Sequence, residues 1–329
     1  MKVLVPHPDT KRIEVMRTLF GPSFEVVQSG GNLGDMLEKG RDADVLVSMR
    51  VPVEYIHDAP NLRMIQTMGT GIDRIDLDAV RERGDIIVCN SHVHAAEVAE
   101  YAISLLLAAA KNIIISDREF RKGDWIHAFG GPSPNTEIRG KTCLMIGLGH
   151  IGSEIAKRLK GFEVKITAAT RSGKSLNSSL ADQLVSIDSV KPLVETADFV
   201  ILALPLTRES QCLVDKEFIS WMRPTSILVN ISRGKIVEEE ALYQALKGGS
   251  VRAAALDVWW DYPPKWGGSG QFPSEAFPFH ELDNVVISPH RAGFTEDIQD
   301  GALRFVVENI LRFSRGDELQ NIVDLQLGY

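Results

Sequence analysis

Gly147, Gly149 and Gly152 stand in the order G-x-G-x-x-G, with Leu148, His150 and Ile151 between them. That spacing suits phosphate chemistry. The first glycine permits a tight turn, the second lets the backbone approach a pyrophosphate, and the third allows close helix–strand packing. Amide N–H groups at the start of the following helix then hold the phosphates, aided by the helix dipole. A purely structural glycine turn has the same letters, so context decides. The apolar run Cys143-Leu144-Met145-Ile146 precedes the motif as a short buried strand, and residues 153–160 follow as a helix. In that setting the motif signals dinucleotide binding.

A second chemical position lies at the end of the next strand, residues 164–169, where Thr170-Arg171-Ser172 follow. Thr170 falls eighteen residues after Gly152, close to where a carboxylate would bind the ribose 2′-hydroxyl of NAD. A neutral hydroxyl followed by a guanidinium suits a 2′-phosphate better, because Arg pairs with phosphate bidentately. NADP is therefore the expected cofactor. The alternative is a solvated Arg171 with NAD tolerated.

The elements that must carry these positions alternate along the whole chain. Short apolar runs at 3–5, 45–47, 64–67 and 86–89 are separated by mixed-polarity segments of helical length. A second series runs through 143–146, 164–169, 199–203, 227–230, 253–257 and 285–288. Such alternation predicts parallel sheets covered by helices. Between the series, residues 97–111 are rich in Ala and Leu and predict a long buried helix. Residues 112–139 form an excursion with interleaved apolar residues (Ile113, Ile114, Phe120, Trp125, Phe129), and residues 262–279 are an irregular Pro- and Gly-rich stretch. A long irregular segment inside a domain is usually functional. There is no internal repeat.

At 329 residues the chain has room for about two domains. With 36 Lys+Arg against 44 Asp+Glu it is net acidic and lacks basic runs, which argues against nucleic acid as partner. Cys89, Cys143 and Cys212 have no metal spacing and read as small buried hydrophobes in a reducing compartment. The most apolar stretch, 101–110, is too short to span a bilayer. The N-terminus reads as a first strand rather than a signal. A soluble, cytoplasmic protein without a membrane partner is expected.

Six motifs together resemble the D-isomer-specific 2-hydroxyacid dehydrogenases, over nearly the whole chain. Gly69-Thr70-Gly71-Ile72-Asp73 looks like that family's substrate-carboxylate loop, and Asn90 through Val98-Ala99-Glu100-Tyr101-Ala102 like the entry to its interdomain helix. After the glycine motif come Leu204-Pro205-Leu206-Thr207, Asn230-Ile231-Ser232-Arg233-Gly234, Leu256-Asp257-Val258 and Ser288-Pro289-His290, in family order. The resemblance implies an α/β chain of two Rossmann-like domains with parallel sheets. A flavodoxin-like substrate domain would comprise 1–92 plus 292–329, and a dinucleotide-binding domain 93–291, with the active site in the cleft between them. It implies a homodimer, paired through the 112–139 arm. It also implies an NAD(P)-dependent enzyme that interconverts a small D-2-hydroxy acid and its 2-oxo acid, such as a glyoxylate/hydroxypyruvate reductase.

The resemblance also distributes roles. Arg233 would clamp the carboxylate and the charge developing on the carbonyl oxygen. His290 would give or take the proton. Backbone amides around Gly69, Thr70 and Gly71 would hold the carboxylate, with His94 a further substrate contact. Asp257 would position the nicotinamide carboxamide, and Pro205, Thr207 and Ile231 would line the cofactor site.

Three departures stand out. Where the family places a glutamate before a proline to orient the histidine, the sequence reads Trp259-Trp260-Asp261-Tyr262-Pro263. Tyr262 occupies that position and brings no charge, which stabilises an imidazolium less; the neighbouring Asp261 is the other candidate partner. The segment from 262 to 290 is longer than the common pattern and carries Trp266 and Phe272. His94 stands where many relatives have a small polar residue. His92, His94 and His290 lack the spacing and carboxylates of a metal site, so no metal is expected. Two other readings compete: a formate-dehydrogenase-like enzyme, which needs no strong base, and a catalytically silent dinucleotide-binding regulator.

Overall fold

Strands that read as uninterrupted apolar runs are buried on both faces, and here they pair in parallel through crossover helices. The computed structural model describes residues 1–263, 271–295 and 298–329. The chain divides into two units, Met1–His94 with Thr295–Tyr329, and Ala95–Phe294.

The first unit contains β1 (Lys2–Pro6), β2 (Glu25–Ser29), β3 (Val45–Val47), β4 (Met64–Gln66) and β5 (Ile87–Cys89), ordered β2-β1-β3-β4-β5. This is the flavodoxin-like order. Because side chains alternate across a strand, Leu4 packs with Leu46, Ile65 and Tyr55 on one face, while Val3 and Val5 pack with Met16 and Ile310 on the other. Ile310 belongs to the helix Ile298–Arg315. The same helix supplies Asn309, whose amide donates to Gln66 Oε1 at 2.8 Å, while Gln66 Nε2 donates to the Thr67 carbonyl at 2.9 Å. A buried polar network thus fixes the strand end from which the Gly69–Gly71 loop leaves.

The second unit contains β6 (Thr142–Ile146), β7 (Lys165–Thr170), β8 (Gln183–Ser186), β9 (Phe199–Leu202), β10 (Ile227–Asn230), β11 (Ala253–Leu256) and β12 (Val285–Ile287). Their order is β12-β11-β10-β9-β6-β7-β8. The chain runs outward from β6 to β8, then returns to β9 on the other side of β6. That reversal makes a crevice at the carboxyl ends of β6 and β9, the place where open α/β sheets take ligands. The helix Ala95–Ala110 covers one face, burying Ala102, Leu105, Leu106 and Ala109 with Met145, Ile201 and Val229.

Two strands are missing from the sequence expectation, β2 and β8. Both lie at sheet edges, paired on one side only. Their partly exposed sequences, EVVQS and QLVS, carry too few apolar residues to stand out. Trp266 lies outside the described residues, whereas Phe272 is exposed and stacks on His280 with ring centroids 3.9 Å apart. The cysteines differ from one another. Burial pushes the Cys89 thiol up to about 11 and Cys143 further, but Cys212 is exposed, contrary to the uniform burial expected. Among the described residues no single helix is long and apolar enough to cross a membrane.

Candidate active site

The glycine motif sits at the β6/β9 crevice. Gly147 has φ +98°, and an added Cβ there would lie 2.4 Å from the Ala203 carbonyl oxygen. A Cβ on Gly152 would lie 2.3 Å from the Gly147 carbonyl oxygen, so both positions exclude a side chain for internal reasons. Gly149 is different: a Cβ would meet nothing within 4 Å. Open space at the middle glycine is what a pyrophosphate requires of the backbone. Gly149 is also the N-cap of the helix His150–Lys160 and brings no side-chain cap, leaving first-turn N–H groups without an internal partner of that kind. The helix begins at His150, earlier than residue 153 where the sequence placed it. These residues fit a dinucleotide phosphate.

At the end of β7, Thr170 Oγ1 donates to the Lys174 carbonyl at 3.0 Å and shapes a tight turn. Ser172 is exposed. Arg171 is half-exposed, with Nη1 3.9 Å from Glu209 Oε2. Pro205 and Thr207 lie in the turn after β9, where Ser210 Oγ donates to the Pro205 carbonyl and accepts from the Thr207 amide. Ile231 is buried just beyond β10.

Arg233 follows the same strand end. Ser232 N–H donates to Asn230 Oδ1 at 3.0 Å and Asn230 Nδ2 donates to the Arg233 carbonyl at 2.9 Å, so the asparagine staples the turn. Arg233 Nη1 donates to the Ser232 carbonyl at 2.8 Å. Gly234 packs directly on the Trp259 backbone, where a Cβ would come within 2.3 Å of its carbonyl atoms. Trp259 also holds the histidine side. Its backbone N–H donates to the Tyr262 hydroxyl at 3.2 Å, and its indole N–H donates to the Ser288 carbonyl at 2.9 Å. The Tyr262 hydroxyl lies 2.8 Å from His290 Nδ1. Arg233, Tyr262 and His290 are thus anchored to one residue, Trp259, to which the sequence assigned no part. Its position directly before the segment lacking the family glutamate was the available signal.

Of the two partners considered for His290, the geometry selects Tyr262. Asp261 is exposed, and the hydrogen bond at His290 Nδ1 goes to the Tyr262 hydroxyl. Asp261 also acts on Glu239, whose carboxyl is held above its usual range chiefly by burial and to a lesser degree by the Asp261 charge. Asp257 also differs from the simple expectation. Its buried carboxylate accepts from Ser288 Oγ at 2.5 Å and from the Arg291 and Ala292 amides at 2.9 Å each. A carboxylate has about four acceptor positions, so most of this one serves the loop around His290.

In the first unit, Ser91 N–H donates to the Gly69 carbonyl at 3.1 Å, Asn90 Nδ2 to the Thr70 carbonyl at 3.1 Å, and Thr70 Oγ1 to the Ser91 carbonyl at 3.0 Å. These bonds use carbonyls and the threonine hydroxyl. The amides of Gly69, Thr70 and Gly71 donate to no acceptor among the described residues. A partly exposed loop offering consecutive N–H groups suits a carboxylate. His94 Nε2 lies 3.2 Å from the Met68 carbonyl, which places the ring beside this loop.

A glycine turn at the crevice of a parallel sheet, with an arginine beyond β10 and a histidine beyond β12 of the same sheet, defines a dinucleotide-dependent oxidoreductase. Comparison with known proteins narrows the class. The family described as D-isomer specific 2-hydroxyacid dehydrogenase, NAD binding domain, matches residues 103–292. The chain is 34% identical over 300 residues to a glyoxylate reductase of Pyrococcus furiosus, covering 89% of this chain and 85% of that protein. It is 37% identical over 304 residues to a D-3-phosphoglycerate dehydrogenase of Methanocaldococcus jannaschii, covering 91% of this chain but only 55% of that longer protein. Among solved structures, an NADPH-dependent glyoxylate/hydroxypyruvate reductase of Sinorhizobium meliloti, in complex with NADP and malonate, superposes with a TM-score of 0.80 at 28% identity, covering 98% of this chain and 97% of that one. The chain belongs to the D-isomer-specific 2-hydroxyacid dehydrogenase family of NAD(P)-dependent oxidoreductases.

Proposed function

We propose that this protein is an oxo-acid reductase that converts glyoxylate, hydroxypyruvate or a similarly small 2-oxo acid to the D-2-hydroxy acid, with NADPH preferred. The observation that carries this reading is the seating of His290 on Tyr262, anchored with Arg233 to Trp259. When bound, the cofactor supplies the hydride. Gly149 and the first turn of the helix His150–Lys160 hold its pyrophosphate, Arg171 its 2′-phosphate, and the remaining acceptor position of Asp257 its carboxamide. Within the first unit, the amides of Gly69, Thr70 and Gly71 offer N–H donors of the kind a carboxylate takes. Arg233 polarises the carbonyl and stabilises the oxygen as charge develops. His290 delivers a proton to that oxygen from Nε2, while Nδ1 remains on the Tyr262 hydroxyl. A spectrophotometric screen of 2-oxo acids with NADPH and NADH tests the reading; no oxidation of either cofactor by any small 2-oxo acid would defeat it, and formate-dependent reduction of NAD(P) would replace it.

The cofactor preference makes its own prediction. Arg171 must exchange its distant partner Glu209 for a phosphate, gaining charge-assisted bonds that the 2′-hydroxyl of NADH does not offer. Arg171→Ala should therefore raise KM for NADPH by roughly tenfold or more, and that for NADH little. Equal use of both cofactors by the unmutated protein counts against it.

A homodimer completes the proposal. The helix Ala95–Ala110 bends by 62° into the helix Ile113–Phe120, which buries no residue. Beyond it Phe120 stacks edge-on against Trp125, and both are exposed together with Ile113, Ile114, Ile126 and Phe129. An apolar patch of that size on a folded chain marks an interface. The arm is tied down at its base, where Lys111 Nζ donates to the Thr136 carbonyl and Arg252 Nη2 to the Pro134 carbonyl. Light scattering at micromolar concentration should give twice the chain mass of 36.3 kDa. A monomeric mass removes the homodimer from the reading.

A further inference from the structure

His290 has φ +54°, in the left-handed region that a side chain other than glycine rarely enters. Such a conformation persists only where its surroundings over-determine it. The surroundings here are explicit. Before the histidine, the Ser288 amide donates to the Leu256 carbonyl at 2.9 Å, and the Ser288 carbonyl accepts from Trp259. After it, the Arg291 and Ala292 amides both donate to the Asp257 carboxylate. Ser288 Oγ joins the two sides by donating to the same carboxylate at 2.5 Å.

A further member of this network comes from the helix Ala95–Ala110. The Tyr101 hydroxyl, on the helix Ala95–Ala110, lies 2.8 Å from Ser288 Oγ. A serine hydroxyl has one proton, and the carboxylate takes it. Tyr101 is therefore the donor, and the bonds run one way: Tyr101 O–H to Ser288 Oγ, Ser288 O–H to Asp257, with the two amides that follow His290 closing on the same carboxylate. Bonds aligned in this sense reinforce one another. The helix is fixed by the core, since Tyr101 packs against the cluster that includes Met145, Ile201 and Val229 of the sheet.

We infer that Tyr101 is a positioning residue, which acts through Ser288 and Asp257 to hold His290 in its left-handed, proton-donating pose. The inference rests on the reading of His290 as the acid. The Tyr101 hydroxyl bonds to Ser288, two residues before the histidine, so it acts on the orientation of the histidine rather than on binding.

Tyr101→Phe keeps the ring and removes only the donor, which makes it the first test. With glyoxylate and NADPH, kcat should fall about three- to tenfold while KM for both stays within about twofold. Ser288→Ala should fall further, Ser288→Thr should restore most of the loss, and Tyr101→Phe/Ser288→Ala should be no worse than Ser288→Ala alone, because the two groups form one chain. Independently of turnover, amide hydrogen exchange at Arg291 and Ala292 should speed up several-fold in Tyr101→Phe. Unchanged exchange at those two amides, additive losses in the double variant, or a raised KM for NADPH at unchanged kcat would each overturn the inference. His290→Ala serves as the control that separates the two claims. If it retains activity, the acid assignment fails; if it is inactive while Tyr101→Phe behaves as wild type with normal exchange, only the positioning role fails.

Discussion

Arg233→Ala should lower kcat by roughly 10²–10³-fold, the loss typical of removing one donor from a site of developing negative charge. The size of the effect follows from how the guanidinium is held. Asn230 fixes the turn on both sides, Arg233 Nη1 is braced on the Ser232 carbonyl, and Gly234 seats the turn on the Trp259 backbone. A donor fixed in advance costs no reorganisation when the carbonyl oxygen becomes an oxyanion. Arg233→Lys should recover little, because an ammonium keeps the charge but not the planar fork that addresses a carboxylate and a carbonyl together. Steady-state kinetics checks both variants. A rise in KM at unchanged kcat would mean that Arg233 binds substrate and transition state equally, and the clamp would have to be sought elsewhere.

How much of this was legible in the sequence depends on what each residue touches. The buried strands were readable because burial on both faces leaves an uninterrupted apolar signature, as in Ile227-Leu228-Val229 and Ala253-Ala254-Ala255. The edge strands β2 and β8 pair on one side and keep polar residues, so that signature fades. The glycine turn was readable because its function is written in the absence of side chains, and the structure gives distinct reasons for each glycine. The histidine's partner was not decidable from sequence. Tyr262 and Asp261 are adjacent, and only the chain direction after Trp260 determines which one meets Nδ1. Asp257 shows the opposite limit. Its type and place suggested a ligand contact, but three of its bonds go to Ser288, Arg291 and Ala292, more than thirty residues away, and no local pattern records such a contact.

His290→Ala should cost about 10²–10⁴-fold in turnover, the usual value of a positioned acid, and exchanging Tyr262 for a carboxylate should move the pH dependence of that step. The phenol oxygen accepts from the Trp259 amide, so it is held in place whichever way its proton points. Against neutral His290 the phenol donates to Nδ1; against the imidazolium it accepts from Nδ1–H. It therefore favours neither form by charge, whereas a carboxylate in its place would favour the imidazolium. Reduction of an oxo acid consumes the protonated form, so the rate falls as pH rises through the histidine's titration. Tyr262→Glu should move that falling limb upward by roughly one pH unit or more, since an opposite charge at hydrogen-bond distance shifts a titration by that order. Tyr262→Phe should remove the support of Nδ1 and lower kcat without extending the active range. Asp261→Asn should leave the limb where it is, because the hydrogen bond at Nδ1 goes to the Tyr262 hydroxyl. Rate profiles of the three variants over the neutral to alkaline range decide the matter. A limb that moves with Asp261→Asn and not with Tyr262→Glu would show that the 2.8 Å contact between Tyr262 and His290 is not the one that governs proton transfer.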